Sequence, residues 1–365
     1  MLKKDQMKNK KTAFISFFPI MPDNMGSSAV INARFKSWPN KKKIFQISHV
    51  KKINNKYIET IFIKKENALY KIFSLPKLIF KIYGYLKDNN SNYIVIEGAS
   101  WIFYSFFVLT FFKILLPNTK IIYISHSVEF EIRKKYSNFF IYIFTFFFEY
   151  LVFNFASIST SVSSLEKKKI YNLYKKKTYL YPNGIILEKK NNKRVINNNY
   201  IIFCGSYLYK PNKAAIDYLN NFLMPKILKD FPDVKLVITG GGYKKKFPWL
   251  INKNIVTKKV LYNLIYYSNC MCVPLKFGSG TRIKIIESLM LGSIVLSTKK
   301  GIEGINLKYK NPPFIVDSKN GQINKLKFIL KNNNKIKKIS KKNKLYYKKL
   351  YSMNNITNKF LRKFI

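Results

Sequence analysis

Acidic residues are scarce in this chain. Its 365 residues hold 17 Asp and Glu against 67 Lys and Arg, a formal charge of +50 at pH 7. Histidine occurs only twice, which excludes a multi-histidine metal centre. Asp-x-Asp is absent, so the paired-carboxylate clamp for a divalent metal is missing and no bound metal is expected. The three cysteines, Cys204, Cys270 and Cys272, fall in apolar strand patterns. They predict buried reduced thiols rather than a disulfide framework. Arginine is rare too, at five of the 67 cations. Nucleic-acid binders usually pair a basic face with Arg forks, whereas the lysines here are scattered through every segment. Lys, Asn, Ile, Phe and Tyr, all with A/T-rich codons, are abundant, so compositional drift explains much of the Lys excess. No specific nucleic-acid partner is expected. An anionic membrane surface is, because so large a surplus of positive charge is drawn to it.

Uninterrupted apolar runs long enough to span a bilayer, about 20 residues, are also lacking. Segment 101–116 contains Lys113 and runs into Pro117, and 138–158 contains Glu149 and Asn154. Both predict helices packed in a domain, with one face at lipid headgroups. The Lys-rich start, 1–11, leads into a strand too short for a signal peptide. Hydrophobic content of 47% excludes a disordered chain.

Short apolar runs alternate with helical patterns almost throughout. Strands are predicted at 12–18, 43–48, 57–63, 93–97, 121–125, 157–161 and 178–181, with helices at 68–86, 102–115 and 129–154 between them. That alternation predicts an α/β fold with a doubly wound, mostly parallel sheet. Pro182-Asn183-Gly184 makes a turn, and 188–199 is polar and Asn-rich. A second series follows at 200–204, 235–239, 255–257, 270–273, 294–297 and 313–316. Two Rossmann-like domains, 1–190 and 191–345, are therefore expected, followed by a basic helix over 346–365.

The most informative run is Pro274-Leu275-Lys276-Phe277-Gly278-Ser279-Gly280-Thr281-Arg282-Ile283-Lys284-Ile285-Ile286-Glu287. It predicts a buried strand, a Gly-rich loop, and a helix whose first turn carries Arg282 and Lys284. Glycines let backbone approach a ligand, and a helix start offers unpaired N–H groups. The dipole adds roughly half a positive charge there. Two cations beside that pole suit a diphosphate. Glu287, further along the helix, suits a ribose diol.

This run, closing at Gly301-Ile302-Glu303-Gly304, resembles the donor-nucleotide half of GT-B glycosyltransferases, specifically the retaining family 4. The resemblance implies two doubly wound domains facing a central cleft, with the last helix crossing back onto the first domain. It implies transfer of a sugar from a UDP- or GDP-sugar to a glycan or lipid-linked acceptor, without a metal or other cofactor. Many family members carry a second Glu where this chain has Ser279, so the donor sugar is not legible here.

Further donor residues are placed by the same resemblance. Gly205 ends an apolar strand, Lys210 follows in Tyr209-Lys210-Pro211-Asn212, and Gly240 and Gly241 end the strand at 235–239. Gly280, Thr281, Arg282, Lys284, Glu287 and Glu303 complete the donor set. His126 follows the strand at 121–125 and matches a family histidine of the donor-sugar site or acceptor pocket. Arg282, Lys284 and His126 are the catalytic candidates; Gly26, Glu97 and His126 are the acceptor candidates. The leaving phosphate itself takes the acceptor proton in such enzymes, so no protein nucleophile is required. Surface polysaccharide or glycolipid synthesis in the cytoplasm, against the inner face of the cell membrane, is the expected setting. The competing readings are a polyanion- or nucleic-acid-binding protein with a Rossmann-like core, and an integral membrane protein. Steep salt dependence of DNA or RNA binding without sugar-nucleotide turnover would mark the first, and resistance to salt or alkaline extraction the second.

Overall fold

The computed structural model describes residues 10–21, 26–50, 55–88, 92–188, 194–278, 280–307 and 313–364. Expectations resting on residues 1–9 and on Ser279 lie outside the described residues. The chain divides into two compact units, one of Met1–Asn183 with Met353–Ile365, the other of Gly184–Ser352.

Unit 1 is built on β1 (Lys11–Ser16), β2 (Lys41–Ser48), β3 (Ile58–Phe62), β4 (Tyr93–Gly98), β5 (Lys120–Ser125), β6 (Ile158–Ser161) and β7 (Tyr179–Leu180). Their order is β3-β2-β1-β4-β5-β6-β7, with parallel pairing such as Phe14↔Ile44 and Ile94↔Ile121. Helices cover both faces of such a sheet, which is why its strands are nearly continuous apolar runs. The chain passes from β1 to β2 in one direction across the sheet and from β3 to β4, β5 and β6 in the other. Right-handed crossovers therefore place helix Gly26–Ser37 on one face. They place Ala68–Leu86, Ile102–Leu115 and Phe139–Phe155 together on the opposite face. The final helix, Met353–Phe364, packs on Gly26–Ser37, where Ser37 Oγ lies 2.6 Å from Thr357 Oγ1.

Unit 2 contains β8 (Tyr200–Cys204), β9 (Lys235–Thr239), β10 (Leu250–Asn252), β11 (Cys270–Val273), β12 (Val295–Ser297) and β13 (Phe314–Ile315). The order is β10-β9-β8-β11-β12-β13. Strand order reverses between β1 and β4 in one unit and between β8 and β11 in the other. Loops at the carboxyl ends of those strands flank the crevice where such sheets bind ligands. Cys204, Cys270 and Cys272 are buried and free, and burial pushes the Cys204 thiol up to about 12.

Two expected elements are corrected. The strand expected at 255–257 is instead β10, whose Leu250 pairs with Leu236. By residue 254 the chain has left the sheet: Asn254 has φ of 49°, and Thr257 caps helix Lys258–Tyr267 by accepting from Val260 N. The helix expected over 129–154 breaks at Ser137, giving Glu129–Tyr136 and Phe139–Phe155. Asn138 accepts from Ile141 N at 3.0 Å, a side-chain cap that starts a new helix rather than continuing the old one.

Glu149, the residue that argued against a membrane span, has a structural role. It is fully buried and accepts from Glu129 N at 2.8 Å, Phe130 N at 3.0 Å and the Tyr174 hydroxyl at 2.6 Å. One helix thus caps the start of another. Burial pushes its carboxyl up to about 7 in spite of those bonds. Among the described residues no helix is long and apolar enough to cross a membrane.

Candidate functional site

In unit 2 the loops after β8, β9 and β11 converge. Gly205 N donates to Thr239 O at 2.8 Å, and Tyr207 N donates to Gly241 O at 3.0 Å. The contact is closed to any side chain at Gly240, which has φ of +116°. A Cβ there would lie 2.4 Å from the Gly205 carbonyl carbon. Gly205, with φ of +150°, is equally constrained, since its Cβ would lie 2.7 Å from Lys284 Nζ and 2.6 Å from Asn212 Nδ2. These glycines exist to bring two loops and an ammonium group together. Gly240→Ala is expected to destabilise unit 2 by about 1–3 kcal/mol through backbone strain and displacement of the Gly205 loop. In contrast, Gly84 lies in an exposed helix interior with open space around it, and Gly84→Ala should stabilise by about 0.4–1 kcal/mol. Thermal or urea unfolding of the two variants checks both signs.

Lys284 lies in the first turn of helix Ile283–Leu291. Its Nζ donates to Asn212 Oδ1 at 3.0 Å and sits 4.1 Å from the Phe203 ring centroid. Burial brings its ammonium down to about 7. Asn212 in turn donates to Ser206 O, at 3.0 Å, so the β8 loop and the helix start form one rigid piece. Arg282 is the N-cap residue, with φ of −82° and ψ of 91°, and is 8% exposed. Its Nη1 donates to the Gly280 carbonyl, which folds the Gly-rich loop back over the helix start. Burial lowers its pKa, with Tyr209 and Glu303 nearby acting in the opposite sense. The helix ends at Gly292 in the left-handed conformation, closed by Ser293 N donating to Ser288 O at 2.9 Å.

Glu287 is 3% exposed, and its Oε1 accepts from Lys258 Nζ at 2.9 Å and Tyr262 OH at 3.3 Å. It is an oriented acceptor, not a solvated surface residue. Thr281 directly precedes Arg282 and is half-buried. Lys210 is exposed at the first position of helix Lys210–Tyr218. Glu303 pairs with Lys300 in the turn after β12. The arrangement offers an anion two cations, a helix N-terminus and glycine-lined backbone. Beside these stands a carboxylate suited to hydroxyls.

Unit 1 brings together a second cluster. Arg34, on helix Gly26–Ser37, is fully buried and donates through Nη1 to Glu97 Oε1 at 2.8 Å and Oε2 at 2.6 Å. Its guanidinium lies 4.8 Å from the Tyr181 ring centroid. Tyr181 stacks on Phe360 of the final helix at 4.3 Å and 7°. His126 Nε2 lies 2.7 Å from Glu97 Oε2, and the His side chain is 11% exposed. Burial alone would raise the Glu97 carboxyl, but the Arg34 charge and the His126 bond hold it below the usual range. An ionised carboxylate only accepts, so Nε2 donates and a neutral His126 ring has its lone pair on Nδ1.

Glu97 therefore differs from its expected role in touching acceptor. Fully enclosed between Arg34 and His126, it orients the histidine. Gly26 is exposed at the start of its helix, and Ser28 Oγ donates to Pro19 O at 3.1 Å. Arg34 escaped sequence reasoning, yet a signal existed. It is an arginine inside an apolar stretch of a chain whose default cation is lysine. Lys258 and Tyr262, which hold Glu287, carried no signal at all.

Two parallel sheets of seven and six strands, with ligand-type loops at their switch points, define a GT-B glycosyltransferase fold. Residues 198–332 match the family described as Glycosyl transferases group 1. Among solved structures, sucrose-phosphate synthase from Thermosynechococcus elongatus is similar over 98% of each chain, with a TM-score of 0.73 and 13% identity. Anabaena Alr3699/HepE, solved in complex with UDP and glucose, is similar over 97% of this chain and 99% of its own, with a TM-score of 0.70 and 11% identity. A Klebsiella pneumoniae protein described as "Uncharacterized 44.6 kDa protein in cps region" is 30% identical over 129 residues, 32% of this chain. The match spans about a third of that relative's length.

Proposed function

We propose that this protein is a retaining group 1 glycosyltransferase that needs no metal. It would move a sugar from a UDP- or GDP-sugar to a glycan or lipid-linked acceptor in surface polysaccharide or glycolipid synthesis. The observation that carries the reading is the convergence of Gly205, Gly240, Asn212 and Lys284 with Arg282 at one helix start. That cradle would meet the negative charge that grows on a departing nucleoside diphosphate, and Glu287 would accept from the ribose hydroxyls. Electrostatic stabilisation aimed at developing charge commonly contributes more to such catalysis than any other single effect. His126, oriented through Glu97 by Arg34, would contact the donor sugar or the acceptor. The acceptor proton would pass to the leaving phosphate. A complex with UDP and glucose in one structural neighbour and the cps-region setting of a distant relative support the donor and acceptor classes. The enzyme is placed in the cytoplasm, peripheral to an anionic membrane.

Hydrolysis and transfer assays with a panel of UDP-, GDP- and ADP-sugars test the reading. One UDP- or GDP-sugar should be turned over, with EDTA without effect, and should raise the melting temperature by binding only the native state. Tight, steeply salt-dependent DNA or RNA binding with no sugar-nucleotide used would overturn it.

A further inference from the structure

Helices Ala68–Leu86, Ile102–Leu115 and Phe139–Phe155 lie side by side on one face of the unit 1 sheet. Phe103 and Phe106 both pack on Phe148, at 5.3 and 5.0 Å between centroids, and join two of them. Their outward side is apolar. Phe73, Phe80, Ile114 and Phe140 are 79%, 75%, 74% and 70% exposed, and Phe139, Phe144 and Phe147 are exposed as well. Between the first two helices runs an apolar groove of about 240 Å³, lined by Pro76, Ile79, Phe80, Tyr83, Phe107 and Phe111. Exposed aromatic area on this scale marks a docking surface.

Charge decides what docks. Across the three helices the only carboxylate is Glu149, and it is buried as the cap of another helix. Exposed Lys77 and Lys113 accompany the aromatics, as does Lys81, which pairs with Glu59 of β3 at 3.5 Å. Phe, Leu and Ile on one surface, lysine around it and no exposed carboxylate on the helices themselves is the pattern of helices that lie in a headgroup layer. All three run antiparallel to the strands, so their amino ends lie at the sheet edge that carries His126. The bond from Ile102 N to Glu129 Oε2, at 2.7 Å, ties one helix start to the segment just after His126.

We propose that this three-helix face seats unit 1 on an anionic lipid bilayer, the groove beside Phe80 and Phe111 taking a lipid hydrocarbon chain. Docked this way, the enzyme holds its His126 edge beside the membrane, where a lipid-linked acceptor arrives. That last step rests on the glycosyltransferase reading, and the docking does not.

Flotation of the full chain with phosphatidylcholine vesicles, with and without phosphatidylglycerol, tests the inference. Binding is expected to the anionic vesicles and to weaken at least tenfold in Phe140→Ser/Phe144→Ser/Phe147→Ser. It should also weaken in Lys77→Glu/Lys113→Glu. Turnover of donor with a water-soluble acceptor should be unchanged in both. Lack of vesicle binding, equal binding by the variants, or indifference to phosphatidylglycerol would overturn the proposal. So would light scattering that shows a dimer broken by the serine variant, since a second copy would then cover the face. Vesicle binding without any sugar-nucleotide turnover would instead sink the catalytic reading and leave the docking intact.

Discussion

Arg282→Ala is expected to lower kcat by about a hundredfold or more, the usual cost of removing one preorganised donor at a developing oxyanion, or about 3 kcal/mol. The melting temperature should stay nearly unchanged. Arg282 is the N-cap residue yet makes no side-chain cap bond, so the helix keeps its start when the guanidinium is lost. Burial also disfavours its charge in the resting protein, so truncation removes a cost along with the Gly280 contact. Arg282→Lys should recover only part of the rate, because an ammonium cannot span two phosphate oxygens as a planar fork does. Glu287→Ala should act differently. On the proposed reading it removes a contact to the ribose that is equal in ground and transition states, so KM rises more than kcat falls. Wild-type rates in both variants would refute the assignment of this cradle as the donor site.

Arg34→Met is expected to cost about 3–5 kcal/mol of stability. The reason is the residue left behind. Glu97 has no solvent exposure, and without the guanidinium its carboxylate keeps only His126 among the described residues. Adding Glu97→Gln to Arg34→Met should return much of the loss, because the uncompensated buried charge is then gone. The pH dependence has a definite sign. Because the folded Glu97 carboxyl lies below its unfolded value, the pair stabilises fully above the ordinary carboxylate range. That stabilisation drains away as pH falls through the lowered folded value. Chemical unfolding at several pH values reads both effects. If Arg34→Met unfolds like the wild type, the buried pair does not anchor His126.

How much of this was legible depended on the kind of signal. β8, β9 and β11 coincide with their expected ranges because a fully covered parallel strand is a short apolar run with abrupt polar ends. β10 was missed because Leu250-Ile251-Asn252 is brief, follows Pro248 and pairs on one side only. The break at Ser137 was missed because both flanks read as helical, the polar Glu129–Tyr136 and the apolar Phe139–Phe155, while the decisive feature is one Asn138 cap bond. The convergence of the loops in the candidate cradle was legible through glycines, whose spacing reports backbone approach. Its supports were not: Asn212, Lys258 and Tyr262 act across sequence gaps of 72, 29 and 25 residues, and no local pattern encodes such distances. Glu97 was correctly placed at a strand end, yet only packing against Arg34 shows that it works through the histidine.

The most direct measurement is a calorimetric titration of UDP and of GDP at pH 8, in two buffers of different ionisation enthalpy. Lys284, brought down to about 7 by burial, is mostly neutral at that pH. A diphosphate beside it favours the charged form, so binding should draw up to about one proton from the buffer, and affinity should fall as pH rises above 7. One nucleotide should bind with proton uptake, and Lys284→Met should abolish the uptake. Binding of neither nucleotide, or binding with the same heat in both buffers, would contradict a diphosphate seated against Lys284.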